Sequence, residues 1–104
     1  MYYELRKRGT RMTERTSDGL DLRCRKILFR SWHRGMREMD LIMGRFADSA
    51  LADLSEAELS DFENLIELPD RDLLAWVTGE VDVPAQFDTA VFRRMRDFHL
   101  SRRS

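Results

Sequence analysis

The chain has 104 residues, 42% of them hydrophobic, with 5 Gly and 2 Pro, which is enough apolar material for one core and too little Gly and Pro for a low-complexity chain. A single cysteine, Cys24, excludes a disulfide scaffold, which needs a pair, and fits a reducing compartment. The net charge of −1 hides a segregation: residues 1–47 carry 12 Lys and Arg against 6 Asp and Glu, residues 48–88 carry 1 against 12, and residues 89–104 carry 5 against 1. Such a pattern lets basic and acidic helices attract one another inside a bundle, or leaves a basic face for an acidic partner.

Residues 1–17 lack apolar periodicity and are rich in Arg and Thr, so a mobile tail is expected there, with Met12 as an alternative start. Glu4 and Glu14 interrupt its basic run, which argues against a mitochondrial presequence. No apolar run reaches the ~20 residues of a membrane span and no secretory h-region opens the chain, so a soluble protein that stays inside the cell is expected.

From Asp18 the pattern is helical. Leu20, Cys24, Ile27 and Leu28 form one stripe and Leu22, Phe29 and Trp32 a second, so the helix is either central in the bundle or carries an exposed aromatic edge; burial is the commoner case and is expected here, with an inert, buried Cys24 thiol. Met39, Ile42, Met43, Phe46 and Ala50 keep the 3.6-residue period in a second helix that fades near Ala52. Ser55-Glu56-Ala57-Glu58 reads as a capping box opening a third, with Leu59, Phe62 and Ile66 inward. Pro69 ends it, and Asp70 is the predicted N-cap of a short fourth helix carrying Leu73, Leu74 and Val77 inward before Gly79 stops it; Trp76 belongs to an interface or to the core, and the core is favoured because its neighbours face inward. Pro84 is predicted in the first turn of a fifth, where Phe87, Val91, Met95 and Phe98 recur. Val81-Asp82-Val83 is too short for a strand. The expected fold is all-α: a small single-domain bundle of about five short helices over residues 18–104, behind the tail of residues 1–17.

Little in this pattern points to catalysis. His33 and His99 lie far apart in sequence, and Cys24 falls on another helix face from His33, so neither a zinc spacing nor a nucleophile with an adjacent base is present. No glycine-rich phosphate loop occurs. The carboxylates between Asp48 and Asp72 have spacings that suit caps and solvated faces rather than an EF-hand. No enzyme is expected, and no metal.

Trp32-His33-Arg34-Gly35-Met36-Arg37-Glu38 stands between two strong helical patterns. A glycine inside a helix costs about 1 kcal/mol relative to alanine, so Gly35 needs a reason. It is either the left-handed stop of the first helix or a place where a partner's backbone comes too close for a Cβ. Arg34 and Glu38 can pair at i, i+4, for only about 0.2–0.5 kcal/mol; exposed together beside Gly35, they would instead form a polar knob suited to docking.

Arg25 to Gly44, with Arg34, Gly35 and Glu38 as an RGxxE motif, and the later Leu68-Pro69-Asp70-x-Asp72-Leu73-Leu74-x-Trp76 block resemble the SdhE family, the bacterial counterpart of mitochondrial succinate dehydrogenase assembly factor 2. The resemblance covers about Asp21 to Glu80. It implies a small helical assembly factor that binds the flavoprotein subunit of succinate dehydrogenase, and fumarate reductase in some cases, and promotes covalent attachment of FAD without performing the reaction. It further implies that Arg34, Gly35 and Glu38 face the client with Arg30 and Asp40 as neighbours, and that FAD belongs to the client, so that this chain has no cofactor of its own. A monomer when free is expected, in the cytoplasm of a bacterium or in the mitochondrial matrix of a eukaryote. The competing reading is a nucleic-acid binder or small helical regulator using Arg23, Arg25, Lys26, Arg30, Arg34 and Arg37. Against it stand the near-neutral net charge, the acidic middle segment and the lack of a recognisable reading helix.

Overall fold

The computed structural model describes residues 18–103. Five α-helices follow one another: α1 Asp18–Trp32, α2 Arg37–Ala50, α3 Glu56–Ile66, α4 Asp70–Thr78 and α5 Ala90–Arg103. Single 3-10 turns, Leu51–Asp53 and Ala85–Phe87, follow α2 and precede α5. Among the described residues there is no strand, and the all-α expectation holds. The tail and Met12 lie outside the described residues.

α2 is the central element, packing on α1, α4 and α5, while α3 packs on α1 and α5. Its position follows from its sequence: Met39, Ile42, Met43, Phe46, Ala47 and Ala50 form one broad apolar face, and all are buried. Phe46 meets the Phe62 ring of α3 at 5.7 Å and the Phe98 ring of α5 at 5.9 Å between centroids. These offset and edge contacts are geometries that aromatic rings favour.

The local signals at helix ends work as predicted in two places. Ser55 Oγ accepts from the Glu58 amide at 3.1 Å while Glu58 Oε1 accepts from the Ser55 amide at 3.0 Å, a complete capping box. Gly79 closes α4 at φ 84, the left-handed region that glycine enters without steric cost.

Three expectations fail. The first concerns Pro84, which opens a 3-10 turn rather than the last helix; α5 begins only at Ala90, with Thr89 Oγ1 accepting from the Phe92 amide at 3.2 Å. Phe87 therefore leaves the α5 stripe and stacks on Trp76, 5.6 Å between centroids, which helps to cover that indole against the core. The second concerns the outer stripe of α1. Leu22 and Phe29 are 49% and 54% exposed, because the core takes only one side of this helix, through Ile27 and Leu28. Cys24 is half-buried against that core rather than sealed in it. The third concerns Asp70. Pro69 occupies the N-cap position without a side-chain bond, and Asp70 is the first helical residue with its carboxylate spent elsewhere.

The segregated charges meet across the bundle. Arg23 of α1 donates to Glu63 Oε1 and Oε2 at 2.8 and 3.0 Å and to Glu56 at 2.8 Å, and Arg30 donates to Glu67 at 2.6 Å. Hydrogen bonding to these guanidinium groups holds the Glu63 and Glu67 carboxyls below their usual range. The same bonds raise Arg23 and Arg30. The attraction of basic α1 for acidic α3 thus accounts for part of the pattern in the sequence.

Candidate partner-binding site

α1 and α2 form a hairpin whose legs touch near its bend. Gly44 of α2 lies under the Trp32 indole so closely that a Cβ there would fall 2.3–2.6 Å from ring carbons. That approach brings the end of α1 against α2 and leaves residues 33–36 as a short loop between them. Met36, extended at φ −133 and ψ 127, is the N-cap of α2 and has no side-chain cap bond.

Two carboxylates hold this loop by its amides. Asp40, in the first turn of α2, accepts from the Arg34 amide at 2.6 Å, and Asp70, at the start of α4, accepts from the Gly35 amide at 2.9 Å through Oδ2. Helix N-termini favour negative charge, so both acids sit where the backbone dipole supports them.

Arg34 turns inward. Its side chain is only 8% exposed, and all three guanidinium nitrogens are engaged: Nε to Asp70 Oδ1 at 2.7 Å, Nη1 to the Ile66 carbonyl at 2.7 Å and Nη2 to the Leu68 carbonyl at 2.8 Å. Ile66 is the last residue of α3, and its carbonyl is one of those a helix end leaves without a partner. The planar fork suits this convergence of carbonyls and carboxylate, which the point charge of a lysine does not match. Arg34 therefore ties the α3–α4 turn to the α1–α2 loop. The polar knob expected from Arg34 and Glu38 is corrected accordingly: Arg34 is a post inside the structure, and Gly35 with Glu38 remains on the surface.

Gly35 is exposed, and its φ is not in the left-handed region; among the described residues the only glycine with positive φ is Gly79. The left-handed helix stop is thereby excluded. A Cβ built on Gly35 would meet only Asp70 Oδ2, at 3.5 Å, an ordinary contact. Glu38, exposed in the first turn of α2, edges a shallow groove of about 210 Å³ with Leu41, Ile42, Arg45 and Phe98 among its lining. Arg30 is half-exposed and directed to Glu67, and Asp40 is half-buried under the loop. Of the five predicted site residues, Gly35 and Glu38 share the outer surface while Arg34 and Asp40 build the loop from beneath. Asp70 was missed as part of this site because its partners lie 35 and 36 positions away in the chain, beyond any local pattern.

Among the described residues no group of three His, Cys, Asp or Glu could hold a metal ion. His33 stacks on Phe29 at 3.9 Å between centroids. With Leu22 this gives α1 an apolar outer edge leading to the loop. The arrangement offers a shallow surface of exposed main chain, tied from beneath by hydrogen bonds, beside a carboxylate.

A family described as the flavinator of succinate dehydrogenase, Sdh5, matches residues 25–99. The chain is similar to a protein of Acetobacter pasteurianus called FAD assembly factor SdhE, 37% identical over 78 residues that cover 75% of this chain and 72% of that one. It is also similar to mitochondrial succinate dehydrogenase assembly factor 2 of Dictyostelium discoideum, 38% identical over 69 residues covering 66% of this chain and 49% of that one. The counterpart in Debaryomyces hansenii is 34% identical over 70 residues. The chain spans about half the length of these mitochondrial relatives.

Proposed function

Since the chain belongs to the succinate dehydrogenase flavinator family, we propose that it is an assembly factor which binds the flavoprotein subunit of succinate dehydrogenase and promotes covalent attachment of FAD. A fumarate reductase flavoprotein is a second client on this reading. The factor acts as a binding protein rather than a catalyst and holds no cofactor of its own; the flavin is the client's. Its place is wherever the client receives flavin, the cytoplasm in a bacterium or the mitochondrial matrix in a eukaryote. No described helix is long and apolar enough to cross a membrane.

The observation that carries this reading is Gly35. Its φ lies outside the left-handed region and a Cβ would have room there, so what glycine adds at this exposed position is bare main chain that a client surface can approach closely. Glu38 beside it supplies a carboxylate for a donor on the client.

In physical terms, a factor that binds the flavinylation-competent client conformation more tightly than the others raises its population by that difference in affinity. Moving a conformer from 1:99 to 99:1 takes about 5.5 kcal/mol. An interface of about 1,600 Å² can supply it and still release the product. The test is covalent flavin fluorescence of the client with wild-type protein and with Gly35→Trp, whose helicity and melting point are first shown to match. Labelling should fall to the level without factor, and equal labelling would overturn docking through this loop.

A further inference from the structure

Resting on that reading, we infer that Asp70 is the positioning residue of the docking loop, holding its main chain in the shape presented to the client. Asp70 follows a proline at the start of a helix, where an acidic side chain ordinarily caps its own helix or faces solvent. Here it does neither. Oδ1 accepts from Arg34 Nε at 2.7 Å and Oδ2 from the Gly35 amide at 2.9 Å, so one carboxylate grips consecutive residues of the loop, one by side chain and the next by main chain. The grip is sheltered, with the Asp70 side chain 14% and the Arg34 side chain 8% exposed.

The carboxylate is itself immobilised. The Arg34 guanidinium that it binds is anchored to the Ile66 and Leu68 carbonyls just ahead of α4. On the opposite side Asp40 takes the Arg34 amide at 2.6 Å. Four groups from α2, α3, the α3–α4 turn and α4 thus converge on one dipeptide. Asp72, two residues further along α4, is exposed and offers a comparison on the same helix start. A shallow docking surface made of main chain depends on its backbone being ordered before binding, since any ordering left to the encounter subtracts from affinity. Asp70 thereby acts on client binding through Gly35 without touching the client.

The experiment compares Asp70→Asn with Asp72→Asn, which removes the same charge from the same helix start. Two readouts are taken: amide hydrogen exchange at Arg34 and Gly35 in the free protein, and the rate of covalent flavin attachment to the client. Hydrogen bonds to charged groups are strong enough that Gly35 exchange should rise at least about tenfold in Asp70→Asn, with Asp72→Asn unchanged. Flavin attachment should slow in Asp70→Asn by more than in Val77→Ala, a core variant that lowers the melting point without touching the loop. Unchanged Gly35 exchange, or slowing no greater than stability loss alone causes, overturns the inference. If Asp70→Asn fails to fold, Asp40→Asn, which releases only the Arg34 amide, is judged by the same criteria. The two levels separate cleanly: an inert Gly35→Trp would bring down the docking reading itself, whereas an active effect of Gly35→Trp with none from Asp70→Asn removes only the role of Asp70.

Discussion

Two glycines bracket the start of α2, and their surroundings are opposite. Gly44 lies in the helix interior, where glycine costs about 1 kcal/mol relative to alanine. It is nonetheless demanded by the fold, since a Cβ would enter the Trp32 ring. Gly35 lies in the exposed loop, where a Cβ has room and φ is outside the left-handed region. Packing explains the glycine at 44 and not the one at 35, to which the proposed function assigns a contact with the client. The same division runs through the RGxxE motif, whose arginine is consumed by the fold while its glycine and glutamate face outward.

The largest test of this division is Arg34→Met. Removing the guanidinium leaves Asp70 and the Ile66 and Leu68 carbonyls without their donor in a sheltered site, and breaking a buried pair in this way costs about 3–5 kcal/mol. That is a large share of the roughly 5–15 kcal/mol total stability of such a domain. Urea unfolding should show it as a sharply lowered midpoint; a near-normal midpoint would return Arg34 to the surface knob. Gly44→Ala comes next. Overpacking against Trp32 should lower stability by about 1–3 kcal/mol, with a shift in the tryptophan fluorescence that reports the displaced indole. If the variant melts like wild type, the distinction between the two glycines collapses.

Ser55→Ala probes a region away from the loop, and loss of the capping box should cost about 1 kcal/mol with no effect on client flavinylation. The ionic seam of α1 and α3 gives a smaller, pH-dependent effect. Glu63 and Glu67 have folded values below the usual 4.5 because Arg23 and Arg30 bind their ionised forms. Their contribution is therefore complete above that value and is lost as pH falls through the lowered folded values. Urea midpoints should decline on acidification below 4.5, and less steeply in Arg23→Met, with high salt weakening the difference because these pairs are largely exposed. Parallel acid slopes in the two proteins would show the seam to be without consequence. The smallest expected change is the stability of Gly35→Ala, within about 0.5 kcal/mol of wild type. It is also the sharpest test, because the same variant should slow flavin attachment to the client; a marked loss of stability would show that the fold, not a partner, requires this glycine.

Periodicity and end signals alone determined the five helices, the Ser55–Glu58 capping box, the Gly79 stop and the inward faces of α2 and α3. These depend on interactions within a few residues, where side-chain chemistry and the 3.6-residue repeat act directly. Gly35 stood out for the same reason, as a glycine without a local purpose. Only tertiary structure decided that Asp70 grips Arg34 and Gly35 rather than capping α4, that Phe87 leaves α5 for Trp76, and that Leu22 and Phe29 stay outside while Ile27 faces the core. Each is a choice among partners that lie far apart in the chain or not in it at all. A charged or aromatic side chain has several chemically acceptable neighbours, and packing of whole helices, rather than any short stretch of sequence, selects which of them it reaches.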